Sequence, residues 1–343
     1  MIRINSNWYM KVIIFSIILV IFVSLSFVSV YAQSKHLSIV TAGATGTYYP
    51  IGSALAKVIN DNIPNIYAVA EVSGGSVENI KLVSRGEADI GIANQMHFRK
   101  AIPGTPPFDK PITNLRTLFP LAGTNYVMKH AWQVIVHKNS PIESIYDLKQ
   151  KKVAVGPAGS GTEVYSKNIF DTLFENGYEA FTPLFYSYTE ATSAMQDGTI
   201  NACIFHSAAP TGAIIELAAS RDIRMIPIDD VDIAKLKEAW GFNKRVVTPS
   251  EYKWLEEEVD TVVASYHTIF VNKDADEEMI YNIVKAAMEN KENIWVSNPG
   301  AKGYDEQGVV IGLDNPPLHE GSYKYFEEVG IDIPENAVPP ELK

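Results

Sequence analysis

The sequence predicts an α/β chain folded as two lobes, on three observations. Short apolar runs alternate with amphipathic helical stretches in the strand, helix, strand order of a parallel sheet covered on both faces. The alternation lapses over a proline-rich stretch at 94–112 and starts afresh near 152. Each start opens on the same device, a short apolar strand running through a Gly/Ser/Thr-rich turn into a helix. Such a turn leaves the first backbone N–H groups of the helix without intrahelical partners at the positive end of its dipole, where an anionic group can settle. The competing reading is an ordinary strand-to-helix loop whose glycines serve only the turn.

The 343-residue chain begins with a stretch that does not look like part of a fold. Arg3 and Lys11 precede an uncharged, mostly apolar run at 12–30 that ends in Val30-Tyr31-Ala32 before Gln33, the pattern of a cleavable signal peptide at 1–32. An uncleaved membrane anchor is the alternative, because the run approaches the roughly 20 residues of a spanning helix. No cysteine sits near the cleavage point, which argues against lipid attachment. Removing the leader takes away two basic residues and no acids, so the formal charge moves from −11 to −13 over the remaining 311 residues. So acidic a protein is a poor candidate for binding nucleic acid or an anionic membrane. With Cys203 as the only cysteine there is no internal disulfide, and the core must hold the fold.

Taken in order, the strand at 39–40 leads through Gly43-Ala44-Thr45-Gly46 into a helix at 48–61, with Ile51, Leu55, Val58 and Ile59 on one stripe. A strand at 67–72 runs into Ser73-Gly74-Gly75-Ser76 and a helix carrying Val77, Ile80 and Val83, followed by a strand at 89–93. The prolines at 103, 106, 107 and 111 mark a surface excursion. Runs at 115–122 and 131–137 read as strands. The second series has a strand at 152–155, the turn Gly156-Pro157-Ala158-Gly159-Ser160-Gly161-Thr162-Glu163 and a helix reaching about 176. A strand at 184–188, a helix at 190–197, a strand at 200–206, a helix opened by Pro210 and a strand at 223–228 follow. Residues 229–260 stay open, 262–271 is a β run, and a helix with Ile280, Ile283, Val284 and Ala287 on one face precedes a tail expected to pack back on the first lobe. Crossing segments near 131–137 and 262–271 are expected to form a hinge between facing Gly-rich turns.

Several motifs carry less than they suggest. The turn at 156–162 has the glycines of a phosphate loop but not its lysine, so its donors suit a carboxylate better than a polyphosphate; the alternative is a helix cap on Ser160 with no ligand. No Gly-x-Ser-x-Gly elbow surrounds Ser76 or Ser160. Cys203 and His206 read as a buried structural pair in preference to a metal site, which wants four ligands, and His319-Glu320 lacks the second histidine of a zinc-protease motif. The absence of a coherent catalytic or metal-binding set favours binding over turnover.

Four motifs, Gly46-Thr47-Tyr48-Tyr49-Pro50-Ile51-Gly52, Gly74-Gly75-Ser76-Val77-Glu78-Asn79, the Gly-Ser-Gly-Thr-Glu core ending at Glu163, and Leu318-His319-Glu320-Gly321-Ser322-Tyr323-Lys324-Tyr325, stand in the same order as in TAXI-type solute receptors of tripartite ATP-independent periplasmic (TRAP) transporters. The chain resembles that family over nearly its whole mature length, including Tyr146-Asp147-Leu148-Lys149. The resemblance implies a periplasmic receptor of the two-lobed periplasmic-binding-protein (type II) fold, with hinge strands and a ligand cleft between the lobes. Such a receptor binds a small organic anion, an amino acid such as glutamate or glutamine or a dicarboxylate, and delivers it to the membrane subunits of a TRAP permease. Departures are Asn94-Gln95-Met96 where many relatives have Gln-Ser-Asp, Ala208-Ala209-Pro210 where they have Gly-x-Pro, and His319-Glu320-Gly321-Ser322 where they have His-Pro-Gly-Ala.

On this basis residues 33–133 with 267–343 are expected to form the first lobe and 134–266 the second. Thr47, Tyr48, Tyr49, Ser76, Ser160, Gly161 and Thr162 occupy matching family positions, with Ser76, Ser160 and Thr162 on the ligand carboxylate and the tyrosines as walls and hydroxyls. Asn94, Gln95, Gln133 and Ser207 are expected to read the rest of the ligand. A monomer with no cofactor, metal, catalytic residue or nucleic-acid partner is expected. The alternatives are a membrane-anchored ligand sensor and a cleft serine hydrolase.

Overall fold

The computed structural model describes residues 34–125, 129–263, 266–313 and 315–343, together with Phe15. The expected leader thus lies outside the described residues except for Phe15. Among the described residues twelve strands fall into two large sheets and one small one. Strands β1 (Lys35–Val40), β2 (Ile66–Glu71), β3 (Ile90–Asn94) and β4 (Leu115–Leu121) belong to the first sheet. The second is built from β5 (His130–His137), β6 (Lys152–Ala154), β7 (Thr182–Leu184), β8 (Ala202–Ala208) and β9 (Ile223–Ile226). Strands β10 (Asn243–Val247) and β11 (Val259–Val263) pair with one another, and β12 (His267–Asn272) returns to the first sheet.

The sheet orders are β2-β1-β3-β12-β4 and β7-β6-β8-β5-β9. The two orders match position by position. In each, the fourth strand is the one the chain forms on entering that sheet from the other lobe, and it runs antiparallel to both neighbours. Elsewhere β1 and β3 are parallel, as are β6 with β7 and β8. Both sheets are therefore mixed, where the βαβ rhythm predicts parallel ones. Crossover strands at 131–137 and 262–271 also need correction as hinge segments. β5 lies wholly inside the second sheet, and the β run at 262–271 is split between β11 and β12; the chain leaves the first sheet after Leu121 and returns between Val263 and His267.

Helices α1 (Tyr48–Asn62), α2 (Ser76–Ser84), α3 (Phe98–Ala101), α4 (Gly161–Leu173), α5 (Tyr188–Gln196), α6 (Gly212–Ser220), α7 (Asp230–Trp240), α8 (Glu277–Glu289), α9 (Lys291–Trp295), α10 (Gly308–Gly312) and α11 (Glu320–Glu328) cover the sheets. The stripe Ile51, Leu55, Val58 and Ile59 of α1 is buried against Ile39, Phe119 and Ile283. The tail packs into the same core through Leu318, Tyr325 and Phe326, and it extends the edge at β4 by the bonds Thr117 N–H to Pro317 O and His319 N–H to Thr117 O. In the second sheet the period of two along β5 sends Trp132, Val134 and Val136 into one core and Ala131 and Ile135 into another.

Three local expectations change. The proline-rich stretch is anchored as well as exposed: α3 and the loop after it bury Phe98, Phe108 and Ile112 beside Val77 and Phe270. The strand expected at 184–188 ends at Leu184, because Ser187 accepts from Glu190 N–H while the Glu190 carboxylate accepts from Ser187 N–H, a capping box that starts α5 at Tyr188. The open region 229–260 forms α7, ended by Gly241 at φ 73°, and most of the β10–β11 pair.

Candidate functional site

Three strand-to-helix turns converge at the ends of the two sheets. Between β2 and α2, Asn79 Nδ2 donates to Thr41 O (2.6 Å) and Ile92 O (2.7 Å), locking the helix start to β1 and β3. Gly75 at φ +97° and Gly156 at φ +96° share a positive φ in the turns leading to α2 and α4, one that side chains with a Cβ avoid. The two helix starts abut. A Cβ on Gly161 would lie 2.9 Å from Ser76 Oγ and 3.2 Å from His97 Nε2, so only glycine lets α4 approach α2 this closely. The turn before α1 is tied across to the second sheet, where Ala208 N–H donates to Thr47 Oγ1 (2.9 Å).

These turns enclose a cavity of about 150 Å³. Its lining includes Thr47, Tyr48, Ser76, Ser160, Gly161, Thr162 and Ser207 of the residues expected at the site, joined by Ser73, Gly75, His130, Ser187, Tyr188 and His206. Among the described residues that line it there is no Asp, Glu, Lys or Arg. The remaining expected residues lie elsewhere. Tyr49 is half-buried outside the lining. The Asn94 side chain accepts from Met96 N–H, and Gln95 Nε2 donates to Thr268 Oγ1 beside a second cavity bordered by Arg99 and Trp240. Gln133 donates to Ser207 O and Thr211 Oγ1 and accepts from Tyr252 Oη (2.6 Å), so it is fully engaged within the second lobe.

The hydroxyls of the cavity are held by the protein. Ser160 Oγ accepts from Glu163 N–H (3.1 Å), which makes it the helix cap while it lines the cavity. Ser76 Oγ accepts from Asn94 N–H (3.2 Å) and lies 3.2 Å from Tyr48 Oη, which is itself 2.7 Å from His267 Nδ1. Thr162 Oγ1 is 2.9 Å from Tyr188 Oη, whose proton goes to His206 O. Burial pushes the Tyr188 phenol up to about 12, so it stays a donor. Neither serine hydroxyl has an imidazole or carboxylate as hydrogen-bond partner among the described residues, so neither is poised as a nucleophile.

A cluster of four histidines lies at the cavity and behind it, and sequence reasoning missed it. His130 opens β5 and His267 opens β12, the two crossover strands, with ring centroids 3.8 Å apart. His206 lies 5.8 Å from His130 and stacks on Tyr165 at 3.9 Å; His97 meets the edge of the same tyrosine. Burial above all, then the charges of His206 and Lys100, drives His97 down to about 3, and burial drives His206 to about 3. Burial, followed by repulsion from neighbouring imidazoles, holds His130 and His267 well below the ordinary range. All four are neutral at pH 7. His130 Nδ1, His206 Nε2, His267 Nε2, both ring nitrogens of His97 and Tyr165 Oη are buried without a hydrogen-bond partner among the described residues. The available signal was a histidine just before the run at 131–137 and another inside the run at 262–271.

The expected Cys203–His206 pair is corrected: three positions apart on β8, the two side chains point to opposite faces, Cys203 into the core and His206 to the cavity. Among the described residues no group of three or more His, Cys, Asp and Glu side chains could hold a metal ion. His319 Nδ1 accepts from Gly321 N–H and caps α11.

Two α/β lobes on matched sheets, with a cavity where helix starts from both lobes meet, define the architecture of the two-lobed periplasmic binding proteins. The chain belongs to the NMT1-like family, whose model matches residues 39–330. Similar solved structures include the aliphatic sulphonate binding protein SsuA of Escherichia coli (14% identity over 86% of this chain and 90% of that one, TM-score 0.43). Another is an ancestral arginine-binding protein bound to arginine (16% identity, 77% and 98% covered, TM-score 0.47). A third comes from work on glutathione import through GshT and the cystine ABC importer TcyBC of Streptococcus mutans (14% identity, 80% and 99% covered, TM-score 0.49).

Proposed function

We propose that this chain is an extracytoplasmic solute receptor that captures a small organic anion and delivers it to a TRAP-type permease. In this reading the two expected lobes close on the ligand after export to the periplasm through a signal peptide, with the boundary expected at 133/134 moved ahead of β5, which lies wholly in the second sheet. The observation that carries it is the cavity of about 150 Å³ at the meeting of two helix starts, one from each lobe, lined by neutral donors. Backbone N–H groups of the first turns of α2 and α4, with Ser76, Ser160 and Thr162, hold a carboxylate; Thr47, Tyr48 and Ser207 complete the wall. Closure excludes water and strengthens each of these bonds. Support for the TRAP assignment is the ordered set of motifs from Gly46 to Tyr325; the permease reads the closed surface.

Binding to the folded state must raise stability, by about 2.7 kcal/mol at a hundredfold excess over Kd. Thermal melting against a panel of amino acids, mono- and dicarboxylates is expected to show a rise with at least one acid. An unchanged melting temperature across the panel rejects the reading.

A further inference from the structure

We infer that the cavity selects an anion carrying no ammonium group, and that His130 and His206 receive it with uptake of a proton from solvent. The inference rests on the receptor reading above and narrows its ligand class. A zwitterionic amino acid needs a partner for its ammonium, and among the described residues no carboxylate lines the cavity. What lines it instead is the positive ends of α2 and α4, which favour negative charge. On the other side stand His130 and His206, each with a buried ring nitrogen that has no hydrogen-bond partner among the described residues. Buried polar atoms without partners are uncommon in native proteins, and both rings that keep one also line the cavity.

The groups facing these two rings explain why a ligand must bring the counter-charge. His130 faces His267 at 3.8 Å, His206 at 5.8 Å and the positive field of Arg245. His206 faces His130 and the stacked Tyr165 ring, and it lies within electrostatic reach of His97 and His267. Tyr188 donates its hydroxyl proton to the His206 carbonyl. Arg245 is already paired with Glu251, which also holds Lys129. With no carboxylate among these neighbours in the described residues, both imidazoles stay neutral until a ligand supplies one. An anion seated against them favours the imidazolium, and the proton moves from water onto a ring nitrogen.

The test is isothermal titration calorimetry of the full chain with matched acids that differ only in the ammonium: acetate and glycine, succinate and aspartate, glutarate and glutamate. Each is run at about pH 5.5 and about pH 7.5, in two buffers of different ionisation enthalpy, which counts protons taken up. Among the pairs that bind, the acid without the ammonium is expected to bind at least about tenfold tighter. Its affinity is expected to rise toward the limit of about tenfold per pH unit for one proton as pH falls. His206→Gln is expected to flatten that slope; should the variant fail to fold, the proton count on the unaltered chain decides alone. An amino acid binding tighter than its deamino partner, a proton count of zero, or affinity that falls with acid overturns the inference while leaving the receptor reading intact. Falling affinity in acid is what an ammonium seated on neutral imidazoles would give. If no member of any pair binds at either pH, this inference and the carboxylate-receptor reading fall together.

Discussion

On the side of the cavity built from helix starts, every hydroxyl is engaged: Ser76 with Asn94 and Tyr48, Ser160 with Glu163, Thr162 with Tyr188, Thr47 with Ala208. On the side built from imidazoles, His130, His206, His267 and His97 keep ring nitrogens with no partner. The first side has its geometry set before any ligand arrives, and it contributes positioned backbone donors and fixed distances. The second has binding capacity left over and a charge state that can change. Removing a group from the first side therefore breaks bonds already made, whereas acidifying the second introduces charge where nothing compensates it.

The largest effect expected from that contrast is acid sensitivity. For His97 and His206 the folded-state value is about 3 against an ordinary 6.5. Above 6.5 both folded and unfolded chains hold these groups neutral, and stability does not respond to them. Below it the unfolded chain binds protons that the folded chain refuses, so stability is lost as pH falls from 6.5 toward about 3. Each such imidazole contributes about 1.4 kcal/mol per pH unit within that window. Urea unfolding of the empty protein at several pH values checks this, and a flat midpoint below pH 6.5 would break the comparison.

Next in size is Gly161→Val, which pushes atoms into the contact with Ser76 and His97. Overpacking of about 1–3 kcal/mol at that point holds the helix starts apart, and calorimetry is expected to show binding weakened roughly ten- to hundredfold. Ser76→Ala removes two bonds, the one accepted from Asn94 N–H and the one shared with Tyr48 Oη, at about 1–3 kcal/mol of stability by denaturant titration. Ser160→Ala removes only a local helix cap, at about 1 kcal/mol. Equal losses for the two serines would mean that Ser76 does not bridge its neighbours as described.

How much of this was legible follows from where each signal sits in the chain. The α1 stripe and the turns before α2 and α4 are local patterns, and the structure keeps them with small shifts in boundary. The β10–β11 pair was not legible, because Asn243 and Lys244 are exposed and the partner strand lies beyond a charged segment. Gln133 shows a different limit. A polar side chain inside an apolar strand must find partners, and its sequence position does not say whether they belong to a ligand or, as here, to Tyr252, Ser207 and Thr211. The histidine cluster draws on positions 97, 130, 206 and 267, which meet only through the folding of both lobes.

Cys203 carries a practical consequence. Its side chain is wholly buried, and burial raises its thiol well above the ordinary range, so the folded chain offers no reactive thiolate. As the only cysteine in the sequence it becomes available when the second lobe opens its core, which makes thiol labelling a clock for the opening of that lobe. It also leaves the surface clear for paired dyes: two cysteines introduced on opposite lobes would carry probes of closure with no competing site on the native protein.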